Sequence, residues 1–435
     1  MPAVNRSTMK KPHSDSQNKI NERNQLIQPK PKELPKQTQK KIRNAFQHSL
    51  KKSKLHFAAH SHHPWPDVTR AAHLKYWDLS AEQLDHKWDQ VFGKTIPDAK
   101  SKLANLMGLS DPNQIVEGNN TQELVGRLIS SFDLSKPFSI LTTDSEFYSF
   151  DRMAKRLAEY PNVQITVVDT EPFATFTKRF CDAYKTQKFD LVFASLVFFN
   201  TGFYPITFLP ELATVHRART QNQRATVVLD GYHAFGAVPL NISEYEDDFY
   251  FVGGGYKYLS AGEGACFLTA PKSSILRPLY TGWMAEFHQL ENQKKNSKNN
   301  RQLVTYPNSA ARFIGSTSDP SAWFRFLAVQ QWWKTVGLNP TSIRSHVLFL
   351  QEYFLTHFNP NWLSAIDGRW QFASENFERA NFLTLHTPHA QNLTDRLAKQ
   401  NVIVDCRGDN LRFGFGYYHQ FHDVDLLFKK LSKLM

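Results

Sequence analysis

VVLDGYHAFGAVPL, residues 227–240, opens as a β-branched apolar run and stops on an acid, Asp230. YFVGGGYKYLSAGEGACFL, residues 250–268, opens the same way and stops on three glycines followed by Tyr256 and Lys257. Neither run alternates apolar with polar residues, so both read as strands covered on two faces. In an open α/β sheet a ligand sits beyond the carboxyl ends of the strands, where Asp230 and Lys257 would face it. Lys257 lies between two tyrosines in a glycine-rich turn. Desolvation there would lower its pKa and make the amine nucleophilic. Taken alone, a lysine after a strand is more often a surface residue, and the glycines could serve a plain turn. A phosphate-cradling Walker loop does not fit, because Tyr258 follows the lysine and the glycine spacing is wrong.

Outward from these two strands the chain alternates. FSILTT (138–143), VQITVVDT (163–170), FDLVFASLVFF (189–199), ATVVLD (225–230), DDFYFVG (247–253) and ACFLTA (265–270) are strand-like. Helical segments are predicted over 150–159, 173–185 and 209–221. The alternation predicts an α/β domain with a mostly parallel sheet over residues 41–320, its first segment, 41–64, packing near a second domain. From Ser321 onward come helices and two short strand-like pieces, NFLTLHT and NLRFGFG, which predict a smaller α+β domain over 321–435. The polar stretch 288–302 reads as a loop.

Charge separates the tail from the body. The formal net charge is +12 over 435 residues, yet residues 1–52 hold thirteen Lys or Arg against three acids, a net +10. The rest carries about +2, which removes the case for a nucleic-acid-binding body. Residues 1–40 are basic, polar and nearly free of aromatics, and are expected to be disordered. They lack the apolar run of a secretory signal. Three cysteines without a CxxC pair predict a reducing compartment. With no membrane-length apolar run, a cytoplasmic protein that contacts neither membrane nor nucleic acid is expected.

The pairing of Asp230 with Lys257 is what pyridoxal phosphate requires: an amine to bond its aldehyde, and a carboxylate to keep the ring nitrogen protonated. A phosphate cup should lie upstream. In VEGNNTQEL (116–124) Asn120 can cap a helix, freeing backbone N–H groups near Thr121 and Gln122 for an anion; a simple cap is the alternative. Phe147 in DSEFYSF (144–150) follows a strand end and could stack on the ring.

These motifs, with TGW at 281–283 and LRFGFGYYHQFHDV at 411–424, resemble the class V (fold type I) pyridoxal-phosphate enzymes, and among them the kynureninases. The resemblance runs from about Lys41 to Met435. It implies a large domain built on a mostly parallel seven-stranded sheet, a smaller C-terminal domain, and a homodimer with shared active sites. It implies that Lys257 binds the cofactor and moves the Cα proton, and that Asp230 pairs with the ring nitrogen. His233 would lie near cofactor and substrate, Tyr256 would reach the phosphate and exchange protons, Phe147 would stack, and Asn120 and Thr121 would hold the phosphate. Arg412 would take the substrate α-carboxylate. Trp283 and the Gly315–Ser316–Thr317 turn would come from the neighbouring subunit.

One segment departs from the kynureninase pattern: LHFAAHSHHPWPD, residues 55–67. A metal site needs three converging ligands, and adjacent His62 and His63 usually point apart, so no metal is expected. The family places this segment at the active site, which makes His60 and His62 candidates for substrate contact. Cys406 lacks the surroundings of the catalytic cysteine of desulfurases in this class and reads as structural. The expected reaction is hydrolysis of the Cβ–Cγ bond of kynurenine or a related β-acyl amino acid, giving alanine and an aromatic acid, a step of tryptophan catabolism. The alternatives are transamination, racemisation or β-elimination on another amino acid, and a binding role for the basic tail.

Overall fold

A computed structural model of the chain describes residues 28–50, 54–286, 304–371 and 378–434. Its centre is a seven-stranded sheet: β1 (Ile115–Gly118), β2 (Phe138–Thr143), β3 (Val163–Val168), β4 (Leu191–Ser195), β5 (Thr226–Asp230), β6 (Tyr250–Gly254) and β7 (Cys266–Thr269). The spatial order is β1-β7-β6-β5-β4-β2-β3. Strands β2 to β6 are mutually parallel, and β7 runs against both of its neighbours.

The apolar strands make sense in cross-section. Val192, Val227, Leu229, Phe251 and Phe267 enter one core, while Leu191, Phe193, Val228, Val252 and Leu268 enter another on the opposite face. Successive side chains alternate between two apolar layers, so neither face is left polar. Phe193 and Phe150 stack with centroids 3.6 Å apart across the second layer.

A second, antiparallel sheet holds β8 (Arg369–Gln371), β9 (Phe382–His386), β10 (Asp405–Arg407) and β11 (Asn410–Gly414), in the order β10-β11-β9-β8. Thr384 and Asp405 both stand opposite Arg412 in register. The two strand-like pieces expected in the C-terminal region thus pair with each other. Residues 55–56 pair in parallel with 402–403, and Leu55 and Phe57 enter the core of this sheet with Val347, Phe354 and Phe413.

Two boundaries differ from expectation. The disordered tail was expected to run to residue 40, but Lys36–Asn44 is a helix, α1. The residues before it are fastened by Lys32 N–H to Ser345 O at 3.1 Å and Leu34 N–H to His346 Nδ1 at 3.2 Å. Residues 1–27 and the polar stretch 288–302 lie outside the described residues. The helix Ser321–Val336, expected to open the smaller domain, sends Trp323, Phe326, Val329 and Trp333 into the core of the large sheet. It is apolar on several sides, so periodicity alone does not show which core takes it. Among the described residues no helix is long and apolar enough to cross a membrane.

Candidate active site

The carboxyl ends of β2, β4, β5 and β6 converge on a cavity of about 550 Å³. Asp230 and Ser195 are the last residues of adjacent strands and stand opposite each other in register. Lys257 follows β6 by one turn. The glycines before it are fixed by packing: a Cβ on Gly254 would stand 2.6 Å from Cys266 Sγ and 2.7 Å from the Tyr232 hydroxyl. Beyond the lysine, Gly262 has φ +74° and lies against the Trp65 ring, with no room for a side chain. The turn therefore needs its glycines to bring Lys257 inward.

Lys257 is 8% exposed. Its Nζ is 2.5 Å from Nε2 of His233, 5.4 Å from the centre of the Phe147 ring and 5.2 Å from that of Tyr232. Burial lowers the Lys257 pKa to about 7, against the pull of the Asp230 charge. Burial likewise holds His233 well below the usual imidazole range, with Lys257 and Arg412 adding to the effect. A neutral imidazole thus faces an amine that titrates near neutrality, an arrangement able to pass one proton between them.

Asp230 is pushed upward by burial. One of its oxygens accepts the Tyr232 N–H at 2.8 Å, and among the described residues the other has no hydrogen-bond partner. Behind it lies Glu146, which the sequence reading did not single out. Glu146 accepts from the Thr143 hydroxyl at 2.6 Å, the Ser195 N–H at 3.1 Å and the Ser195 hydroxyl at 2.6 Å. Burial raises its pKa to about 7, and the Asp230 charge pushes the same way. The available signal was its place just past the end of β2, beside Phe147.

Asn120 caps the helix Thr121–Ile129 (α4), its Oδ1 accepting the Glu123 N–H at 2.8 Å. Asn120, Thr121 and Gln122 all line the cavity. The Thr121 and Gln122 N–H groups belong to the first turn of this helix, which, with the Thr121 hydroxyl, gives an anion donors at that end of the cavity. Phe147 lines the cavity and meets Phe199 edge-on at 5.5 Å.

Arg412 lines the cavity almost fully buried, and its fork already has protein partners. Nη1 donates to Phe199 O and Nη2 to Asp405. These partners fix the plane of the guanidinium. Asp405 went unnoticed in the sequence because the pairing runs across two strands.

The four histidines of residues 56–63 go four ways. His56 Nδ1 meets the Tyr418 hydroxyl at 2.7 Å. His60 is fully buried, lines the cavity, and stacks on Phe382 with centroids 4.4 Å apart. His62 lies outside the lining but meets the Tyr256 hydroxyl at 2.7 Å, and Tyr256 does line the cavity. The Tyr256 hydroxyl was expected at a phosphate; here it faces His62. His63 is buried against the Pro64 carbonyl and the Ser260 hydroxyl. Among the described residues no three His, Cys, Asp or Glu side chains converge as metal ligands would.

Trp283 and Thr317 are not among the lining residues of this cavity. They belong to a neighbouring surface where Gly282 packs on Gly315 and the Met284 N–H reaches the Gly315 carbonyl at 3.3 Å. Cys406 also lies apart from the lining, its thiol on Gln391 Oε1 at 3.2 Å.

Pyridoxal phosphate fits this set of groups. It needs an amine, a carboxylate for its ring nitrogen, donors for its phosphate and a flat apolar face. Lys257, the open oxygen of Asp230, the start of α4 and Phe147 supply one each. The strongest single sign is that open oxygen, an acceptor without a partner on a residue that lines the cavity.

Comparison with known proteins agrees. The family model described as Aminotransferase class-V matches residues 55–427. A curated relative, isopenicillin N epimerase of Streptomyces clavuligerus, is 30% identical over 215 residues, 48% of this chain and 51% of that protein. The match thus spans about half of that relative's length. Among solved structures, the cystine C-S lyase C-DES in complex with its product cysteine persulfide has a TM-score of 0.73 at 18% identity, covering 88% of this chain and 98% of that one. A lysine variant of C-DES, with glycine covalently linked to its PLP cofactor, has a TM-score of 0.75 at 19% identity, covering 90% and 98%. The cysteine desulfurase CsdA of Escherichia coli has a TM-score of 0.70 at 14% identity, covering 91% and 98%. At these identities the structures establish the fold alone.

Proposed function

Since the chain belongs to the class-V aminotransferase family and takes pyridoxal phosphate as its cofactor, we propose that it removes and returns the Cα proton of an amino acid, with inversion at Cα as the outcome. The carrying observation is Lys257, buried, near neutrality in pKa, and in contact with a neutral His233. The bound cofactor supplies an electron sink for the charge left at Cα. Everything else falls to side chains. Lys257 Nζ takes the Cα proton and His233 Nε2 can accept one from it. Asp230 holds the ring nitrogen, Phe147 covers the ring, and Asn120, Thr121 and Gln122 shape the phosphate end. Arg412, held in plane by Asp405 and Phe199, receives the α-carboxylate, with His60 beside it. Inversion also needs a second proton carrier, and the Tyr256–His62 pair supports that role. The curated relative is named an epimerase, which favours the same class.

Hydrolysis of kynurenine stands second. It drew on LRFGFGYYHQFHDV, and of that motif Arg412 alone is among the cavity-lining residues. Tyr417 donates to the Ser260 hydroxyl, His419 bonds the His56 carbonyl, and Asp423 pairs with Arg43 at 2.9 Å. The motif therefore speaks for packing more than for a substrate. The homodimer belongs to this proposal too. Ile275 and Leu279 are each 86% exposed, and Tyr280 and Trp283 are exposed beside them, an apolar run that a second copy would cover.

The test is proton exchange. The holoenzyme is incubated in D₂O with single enantiomers of a panel of amino acids, L-kynurenine included. Loss of the Cα–H signal with appearance of the opposite enantiomer supports inversion; alanine released from kynurenine supports the second reading. A cofactor-loaded enzyme that exchanges no Cα–H at all would sink both.

A further inference from the structure

Two arginines line the cavity, and they differ in kind. Arg412 is buried and its fork is occupied by Phe199 O and Asp405. Arg152 is exposed at the rim, on the helix Tyr148–Leu157 (α5), and among the described residues it has no hydrogen bond and no ion pair. The basic residues beside it on the same helix are paired: Lys155 with Asp151 at 2.7 Å and Arg156 with Glu159 at 2.9 Å. Helix stability does not account for Arg152 either, since Arg156 four residues on is a like charge on the same face. Ser149, one turn before it, also lines the cavity, so a hydroxyl and a guanidinium are presented side by side.

The charges of the cavity are unbalanced around this pair. Asp230 is the one carboxylate among the lining residues, and the cofactor's ring nitrogen takes it. Arg412 answers the α-carboxylate that every amino acid carries. Arg152 is left over, at the rim where a side chain must extend. A planar guanidinium without a protein partner suits a carboxylate, which it can grip at two oxygens.

We propose that Arg152, with Ser149, receives a carboxylate at the far end of the substrate side chain, so that the preferred substrates are amino acids bearing a second, distal acid. This rests on the cofactor reading of the same cavity. Arg152 discriminates among substrates and takes no part in moving the Cα proton.

The experiment titrates the holoenzyme with L-aspartate, L-glutamate and L-2-aminoadipate, and with L-asparagine, L-glutamine and L-norleucine as uncharged counterparts. The change in the cofactor's visible absorption gives a dissociation constant for each. In the wild type at least one acid should bind about tenfold or more tighter than its uncharged counterpart. In Arg152→Gln that ratio should fall to about one, with Arg152→Lys intermediate and cofactor affinity unchanged in both. Acids and uncharged counterparts binding alike in the wild type would overturn the inference. So would loss of cofactor affinity in Arg152→Gln, which would place the guanidinium on the cofactor's phosphate instead. Failure of the parent reading looks different: added pyridoxal phosphate would then give no visible band that depends on Lys257.

Discussion

The cavity floor and the seam that joins the N-terminal segment to residues 417–419 are built from the same materials. Each is dense in histidine and tyrosine, and in each burial drives imidazole pKa values down. In the seam, His56, His63 and His419 are all lowered to about 3. His419 accepts the Gly416 N–H at 2.9 Å and donates to the His56 carbonyl at 2.6 Å, while His346 accepts from Leu34 and donates to the His419 carbonyl. His56 and His63 meet the hydroxyls of Tyr418 and Ser260, while His419 and His346 spend their nitrogens on backbone groups, which cannot titrate. On the floor, His233 faces Lys257, which can. Desolvation is common to both regions. What makes one a clamp and the other the proposed reaction centre is the partner, and whether an open volume lies beside it.

The largest effect should come from the floor. Lys257→Ala should abolish the cofactor's lysine-dependent visible band and slow Cα–H exchange by about 10³-fold or more, while the melting temperature stays close to that of the wild type. An active Lys257→Ala enzyme would erase the distinction between the two regions, because the amine would then be one more buried group.

The seam should respond in the opposite sense. His419→Ala leaves the Gly416 N–H and the His56 carbonyl without their partners and opens a hole, at a cost of about 3 kcal/mol, read by denaturant unfolding. Protein that stays folded should retain the visible band. Acid acts on the same side chains. The folded pKa values of about 3 lie below the usual 6.5, so between those limits the unfolded chain binds more protons. Stability is therefore full above about pH 6.5 and is lost as pH falls, by about 1.4 kcal/mol per pH unit for each of the three rings. Glu146 opposes this weakly. Its folded pKa of about 7 lies above the usual 4.5, so its contribution grows as pH falls, but it is one group against three. Equal stability at pH 7 and pH 4.5 would show that the seam histidines are not held neutral.

Glu146 tests whether the floor extends beneath the cofactor. Glu146→Gln keeps an acceptor for Thr143 but removes a charge near Asp230. Pyridoxal phosphate should bind about tenfold more weakly, the scale of one charged hydrogen bond. Its 1-deaza analogue, which lacks the ring nitrogen, should bind equally to both proteins. Equal weakening for the two compounds would assign Glu146 a purely structural place.

Much of this was legible in the chain. A strand covered on both faces is written as a nearly unbroken apolar run, so β2 and β4 to β7 could be placed, while the half-exposed edge strand β3 showed in its β-branched residues, and strand ends then directed attention to Asp230, Phe147 and Lys257. Asn120 could be read because a cap and its third residue are local. Glu146 and Ser195 could not be, since a polar residue past a strand end looks alike whether it faces solvent or a buried network. The Asp405–Arg412 pair is fixed by cross-strand register, which no local pattern encodes. The arm before α1 was misread because composition averaged over the first forty residues hid Leu34, whose anchoring relies on backbone hydrogen bonds. The narrow resemblance says little about substrate for a related reason: residues 411–424 are mostly seam.

The smallest effect is expected where the two regions meet. His62 belongs by sequence to the seam segment, yet its ring is exposed and touches the Tyr256 hydroxyl at the cavity rim. Removing an exposed hydrogen bond to a neutral hydroxyl is worth about 1 kcal/mol, so His62→Ala should slow proton return by about fivefold. The loss should appear in one direction of inversion more than the other, because the proposed inversion assigns one proton site to the Tyr256–His62 pair and the other to Lys257. Cα–H exchange from the enantiomer handled by Lys257 should be nearly unchanged. A symmetric loss in both directions would make His62 a simple rim contact, and an undetectable loss would return it to the seam.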